Sequence, residues 1–247
     1  MDLSNARAVI TGGASGLGAA TAEHFRQRGA QVTVLDRDDA GQAAADAIGA
    51  HFARTDVTDE ASVAAAIALA VERMGGIDIC VNCAGVATAG KTLGREGPLA
   101  LDSFRRVIEI NLIGSFNVLR LAAAEMARNG REENGVIVNT ASIAAFDGQA
   151  GQAAYAASKA AIAGMSLPIA RDLARNNIRI CAIAPGIFGT PMLRGLPQEV
   201  QDSLAAEVTN PKRLGDPQEY ARLAAFIVEN AYMNGETIRI DGALRMR

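Results

Sequence analysis

A glycine-rich turn, Thr11-Gly12-Gly13-Ala14-Ser15-Gly16-Leu17-Gly18, stands between the run Arg7-Ala8-Val9-Ile10-Thr11 and a helical pattern from Ala19 to Arg28. A short β-rich run bounded by glycine reads as a buried strand. The chain therefore opens on strand, turn and helix, and the turn sits at the helix N-terminus. Glycines let backbone approach a pyrophosphate closely, and the free N–H groups and dipole of the helix favour its charge. The spacing is Gly-x-x-x-Gly-x-Gly rather than the Gly-x-Gly-x-x-Gly of longer dinucleotide folds.

The next strand, Gln31 to Leu35, ends at Asp36, about 20 residues beyond the glycines. A carboxylate there accepts hydrogen bonds from an adenosine ribose and repels a 2′-phosphate, which selects NAD over NADP. Arg37 follows and softens that preference, but Asp36 holds the strand end and Ala14 adds no charge to the loop.

Strand and helix patterns then alternate without a linker or low-complexity segment. A helix is expected over 39–48, a strand at His51 to Arg54, a helix over 59–74 with Thr58 as N-cap, and a strand from Ile77 to Asn82. A long helix from Phe104 to Asn129, a strand at Val136 to Asn139 and a helix over 152–175 come next. Ile178 to Ile183 and Thr237 to Ile240 read as the last strands. Pro168 predicts a kink or break in the 152–175 helix. Residues 186–214, rich in Gly, Pro and Leu with little periodicity, are expected to cover a substrate site. Apolar, non-alternating strands in repeated βα units imply a parallel sheet with helices on both faces. This is an α/β, doubly wound, Rossmann-like fold, and 247 residues fit it as one domain, 1–247. In such sheets ligands gather at the carboxyl ends of the strands. The glycine loop, Asp36, Asp56-Val57, Asn82 to Gly85, Ser142 and Pro185-Gly186 all fall at such ends. At Asp56-Val57 a side-chain acceptor and a backbone amide suit an adenine ring.

A formal net charge of −3 offers no basic field for nucleic acid. No apolar run approaches the roughly 20 residues that span a bilayer, and no signal pattern opens the chain, so a soluble, cytoplasmic protein is expected. Cys80 and Cys83 form a Cys-x-x-Cys within a strand pattern, which points them to opposite faces and argues against redox or metal chemistry. His24 and His51 are too isolated for a metal site, so no metal is expected.

Tyr155 and Lys159 lie four apart on the 152–175 helix, on one face. A lysine ammonium beside a phenol favours the phenolate and lowers the tyrosine pKa from its usual value near ~10. Ser142, at a neighbouring strand end, supplies a hydroxyl to hold and polarise a carbonyl oxygen. Acid, pKa tuner and polariser are what carbonyl reduction or alcohol oxidation needs.

These residues together resemble the short-chain dehydrogenase/reductase family over the whole chain. The pieces are Thr11-Gly12-x-x-x-Gly16-x-Gly18, Asn82-Cys83-Ala84-Gly85, Asn111, Ser142, Tyr155-x-x-x-Lys159 and Pro185-Gly186. Most members carry a second Asn where Cys83 stands, a departure confined to a turn beside the cofactor. Within the family, Gly151 to Tyr155, Ser166 to Ala174, Ile183 to Pro191, Arg213 to Pro217 and Ile240 to Met246 resemble type-2 3-hydroxyacyl-CoA dehydrogenases, which also oxidise hydroxysteroids. The resemblance implies a homotetramer, NAD as cofactor and strand order 3-2-1-4-5-6-7. It places Ser15, Leu17, Asp36, Asp56, Val57, Cys83 and Phe188 along the dinucleotide, with Thr190 beside them. It gives Asn111 a water in a proton relay from Lys159, and it makes Ser142 and Tyr155 the substrate contacts. The expected activity is NAD-linked oxidation of a secondary hydroxyl, foremost L-3-hydroxyacyl-CoA to 3-oxoacyl-CoA. Lys91, Arg95, Arg194, Lys212 and Arg213 in the mouth loops are available to phosphates. A hydroxysteroid or small secondary alcohol is the alternative substrate. A carrier-protein reductase is disfavoured by Asp36, because such enzymes mostly use NADPH. A non-catalytic dinucleotide-binding scaffold is the reading from another class, opposed by the intact Ser142, Tyr155 and Lys159.

Overall fold

Strand and helix alternate along the computed structural model, which describes residues 1–246. The strands are β1 (Arg7–Thr11), β2 (Gln31–Asp36), β3 (His51–Arg54), β4 (Ile79–Asn82), β5 (Gly135–Thr140), β6 (Ile178–Pro185) and β7 (Thr237–Ile240). The first helices are α1 (Gly16–Gln27), α2 (Ala40–Ala47), α3 (Glu60–Met74), α4 (Leu101–Ile108) and α5 (Gly114–Met126). Then come α6 (Ala153–Asp172), α7 (Pro191–Arg194), α8 (Gln198–Glu207) and α9 (Pro217–Glu229). The seven strands form one sheet in the order 3-2-1-4-5-6-7, every pairing parallel. This is the single-domain, doubly wound α/β fold that the alternation predicts.

Successive strand residues face opposite sides of the sheet, and each side buries its own core. Ala8, Ile10, Val32, Val34, Ile79 and Val81 pack with Phe25 of α1 and Tyr220 and Ala224 of α9. Val9, Cys80, Ile137 and Ile180 pack on the other side with α3, α5 and Ala170 of α6. Cys80 and Cys83 thus join different cores, and all three cysteines are free. Burial pushes the Cys80 thiol up to about 12, far from reactive.

The amino-terminal edge of the sheet is tied by one buried carboxylate. Asp78 accepts Arg7 Nε at 2.8 Å and Nη2 at 2.7 Å in a bidentate pair, with Arg131 Nη1 at 3.1 Å. Asp78 is 2 % exposed, so removing it leaves Arg7, itself largely buried, without its counter-charge. Asp78→Ala is expected to lose about 3–5 kcal/mol of stability, read from urea unfolding, with cofactor affinity unchanged in the folded fraction. A loss below about 1 kcal/mol would show the pair to be no more than a surface bridge.

Several local expectations are corrected. Asp59, not Thr58, caps α3: its carboxylate accepts the Ala61 N–H at 2.9 Å, while the Thr58 hydroxyl donates to Asp56 at 2.8 Å. Pro168 neither breaks α6 nor ends it. The cost is the single bond to the Gly164 carbonyl, while Ser166 and Ala170 on either side of the proline stay buried in the fold and the helix continues. The expected 104–129 helix starts at Leu101 and carries a π-helical turn, Glu109–Ile113, between α4 and α5. This stretch reaches a mean hydropathy of 1.4 over 18 residues, but half of that window is buried in the fold. A small hairpin, Leu93–Gly94 with Gly97–Pro98, and helix α9 have no counterpart in the sequence reading.

Candidate active site

The glycine turn is shaped by contacts a side chain would block. A Cβ on Gly18 would collide with the Gly12 carbonyl oxygen, and one on Gly12, at φ +63°, would sit 2.9 Å from the Ala84 nitrogen. The turn therefore packs backbone to backbone against the β4 end, leaving the first N–H groups of α1 open to an anion. Beside it lies a cavity of about 380 Å³, lined by Gly12, Ser15, Gly16, Leu17 and Gly18, by Asp36, by Asp56-Val57 and by Cys83-Ala84-Gly85. Asp36 is held at its edge, accepting the Ala14 N–H at 3.0 Å and the Asp38 N–H at 3.1 Å. Asp56 accepts the Thr58 N–H and hydroxyl, which hold its carboxyl below the usual range. The shape, the open amides and the flanking carboxylates fit a dinucleotide.

A second cavity, of about 510 Å³, adjoins the first and shares Leu17, Cys83, Gly85, Val86 and Thr190 with it. Ser142, Tyr155 and Lys159 line it, with Pro185, Gly186 and Phe188 on the opposite wall. Ser142 lies just beyond β5 and caps a 3₁₀ turn, its hydroxyl accepting the Ala144 N–H at 3.1 Å. Tyr155 shares this wall with Ser142, whose hydroxyl favours the ionised form of the phenol. Lys159 Nζ is buried, donates to the Thr140 carbonyl at 2.6 Å and lies 5.8 Å from the Tyr155 ring centre.

The electrostatics correct one expectation. Burial raises the Tyr155 pKa above its ordinary value, and the Ser142 hydroxyl offsets this only in part. Burial outweighs the help expected from Lys159, whose ammonium is turned to the Thr140 carbonyl and is itself pushed down to about 8 by burial. Tyr155 is thus a neutral phenol at neutral pH.

One further residue stands elsewhere than expected. Asn82 lines neither cavity: buried behind the wall, its amide donates to Asn139 at 2.9 Å and to the Ser115 carbonyl at 3.3 Å. Strand register puts Asn82 beside Asn139 at the carboxyl ends of two central strands, where both are buried. Asn111 sits in the π turn, where Oδ1 accepts the Val86 N–H at 2.8 Å and Nδ2 donates to Val86 O and Ser158 Oγ. Its side chain clamps the loop after β4 to α6. The widened turn that seats it is a form common at functional sites.

Cys83 does more than fill a turn: its sulfur lies 3.5 Å from Thr140 Oγ1 and 3.7 Å from the Tyr220 hydroxyl, on the wall of both cavities. Val86, Gln152, Leu193, Leu196 and Met246 complete the second cavity. Nothing local marks them, since loops and helices far apart in sequence bring them together. Of the mouth cations, Arg194, Lys212 and Arg213 line a separate charged cleft with Asp216, where Arg213 pairs with Glu219 at 2.8 Å. Among the described residues no cluster of His, Cys, Asp or Glu fits a metal.

Comparisons with known proteins agree with this geometry. A family model described as enoyl-(acyl carrier protein) reductase matches residues 12–244. The chain is 54% identical to 3-hydroxyacyl-CoA dehydrogenase type-2 of Bos taurus over 248 residues, covering 97% of this chain and 95% of that one. It superposes at TM-score 0.94 and 41% identity on a crystal structure of 3-hydroxyacyl-CoA dehydrogenase type-2 from Mycobacterium avium, covering 98% and 97% of the two chains. A 7-alpha-hydroxysteroid dehydrogenase complexed with NADH and a 7-oxo bile acid gives TM-score 0.90 at 31% identity, covering 99% and 96%.

Proposed function

This chain belongs to the short-chain dehydrogenase/reductase family, and on that premise we propose that it is an NAD-dependent dehydrogenase of 3-hydroxyacyl-CoA thioesters. One observation carries the reading: Ser142, Tyr155 and Lys159 converge where the dinucleotide-shaped cavity opens into a second, largely apolar one. The relatives named for 3-hydroxyacyl-CoA support the substrate.

NAD, when bound in the first cavity, supplies the hydride acceptor. Gly12, Gly16 and Gly18 would hold its pyrophosphate, Asp36 its ribose and Asp56-Val57 its adenine. Ser142 holds the substrate oxygen, and Tyr155 takes the proton from that hydroxyl as the carbinol C–H bond breaks and the carbonyl forms. Lys159, buried beside Tyr155, would bind the ribose and pass the proton onward. The segment 186–214, with Leu193 and Leu196 facing the second cavity, covers the substrate. Exposed Ile113 at the end of the π turn, Phe116 in α5 and Phe226 on α9 support an assembly of several chains. Four chains are the expected mass by light scattering, and a monomer would overturn that part.

Purified protein with 3-hydroxybutyryl-CoA is expected to form NADH, with kcat/KM at least about tenfold lower for NADP. Asp36→Ala should bring the two cofactors to within about threefold of each other, mainly through the loss with NAD. A wild-type preference for NADP would remove Asp36 from its role. Turnover of a hydroxysteroid but no CoA ester would keep the mechanism and overturn the substrate.

A further inference from the structure

We infer that Gln152 recognises the thioester carbonyl of the substrate, and so separates 3-hydroxyacyl thioesters from alcohols with no carbonyl beside the reacting centre. The inference rests on the proposed substrate class and adds to it a residue for which the hydride-transfer mechanism has no use.

The polar groups of the second cavity divide by what already holds them. Ser142 and Tyr155 face the reacting oxygen, and Lys159 is fixed on the Thr140 carbonyl. The Thr140 hydroxyl donates to the Asn82 carbonyl at 2.6 Å and meets the Tyr220 hydroxyl at 2.7 Å. Cys83 and Thr190 also belong to the dinucleotide wall, whereas Gln152 lines the second cavity alone. It is thus the polar side chain left for the part of the substrate away from the nicotinamide.

Its orientation is fixed from behind. Gln152 is the N-cap of α6, and its Oε1 accepts the Gln149 N–H at 3.1 Å. That bond commits Oε1 and leaves Nε2 with only a weak contact. The amide nitrogen carries two donors, and its one contact in the protein is a long one, 3.4 Å, to Gln149 Oε1. A donor therefore remains for a ligand in the cavity.

Gln152 and Tyr155 are three residues apart, on one helical face with Cβ atoms about 5–6 Å from each other. In a 3-hydroxyacyl thioester the carbonyl is two carbons from the carbinol, so its two oxygens are near neighbours. One meets the Tyr155 hydroxyl while the other meets the Gln152 amide. The side chains of Ile143, Ile187, Leu193 and Leu196, also on that wall, offer a carbonyl no partner. A carbonyl desolvated among them without a donor is disfavoured.

The test compares 3-hydroxybutyryl-CoA with its thioether analogue, in which CH₂ replaces the thioester carbonyl, as competing ligands of the NAD-bound enzyme. The wild type is expected to prefer the thioester by about tenfold or more, and Gln152→Met to reduce that preference to within about threefold. The loss should appear in KM and in the inhibition constants more than in kcat, because the contact exists before and during hydride transfer. Gln152→Glu keeps the acceptor for the Gln149 N–H without the amide donors. It should lose the preference too, which covers the case in which Gln152→Met folds poorly. An undiminished preference for the thioester in either folded variant overturns the inference. If the wild type binds NAD but does not turn over 3-hydroxybutyryl-CoA, the proposed substrate class itself fails, a result distinct from a retained preference.

Discussion

Tyr155→Phe is expected to lower kcat by about 10²–10⁴-fold while leaving NAD affinity within a factor of about two. The ring keeps its place in α6, and only the hydroxyl beside Ser142 is lost. Because burial raises the Tyr155 pKa, the phenol is the resting form at neutral pH. Reduction of a 3-oxoacyl thioester uses that acid directly, so its rate should stay flat through neutral pH and fall only where the phenol ionises. Oxidation needs the phenolate, whose fraction grows about tenfold per pH unit below the pKa, so the oxidation rate should climb with pH. The two directions therefore have opposite limbs in the wild type, and both limbs should vanish in Tyr155→Phe. Activity of the variant within tenfold of the wild type, or an unaltered alkaline rise, would take Tyr155 out of the proton transfer.

The same residues show what sequence can and cannot carry. Strand–turn–helix spacing put Gly12, Gly16 and Gly18 at the α1 N-terminus, because a left-handed Gly12 and the missing Cβ of Gly18 are local demands. Asp36 was legible for the same reason, since it ends a strand at a set distance from the glycines. The direction of the Tyr155 shift was not, because it depends on where Lys159 Nζ points, and the Thr140 carbonyl that attracts it belongs to another strand. Asn82 was misplaced because strand register, not local pattern, turns its amide to Asn139. Helix α9 was missed although Asp216 and Glu219 form a capping box at its start. Its pattern follows directly on the aperiodic 186–214 stretch, which masked the boundary. The π turn at Glu109–Ile113 inserts one residue into an otherwise regular apolar pattern, and periodicity over two or three turns absorbs such an insertion.

Lys159→Met should abolish turnover and yet make the protein more stable at neutral pH. The Lys159 ammonium is taken out of water with the Thr140 carbonyl as its hydrogen-bond partner, and burial pushes its pKa from 10.5 down to about 8. The unfolded chain therefore holds this proton more tightly than the folded one. Stability contributed by the site rises with pH between about 8 and 10.5, and below that window the full cost applies. At pH 7 the cost is of the order of 3 kcal/mol, from 1.36 kcal/mol per pKa unit. A methionine of similar length carries no charge and removes that cost, while the bond to Thr140 is lost, so a net gain of about 1–3 kcal/mol is expected. For a domain of this size that raises Tm by roughly 5 °C. The gain should shrink as pH rises from 8 towards 10.5 and be absent above it, at fixed protein concentration and without cofactor. A variant no more stable than the wild type at pH 7, or a gain unchanged at pH 10.5, would show that the buried ammonium does not strain the fold. The predicted pattern instead makes Lys159 a charge held in place for chemistry at the expense of stability, the trade expected where a site needs a group the fold alone would reject.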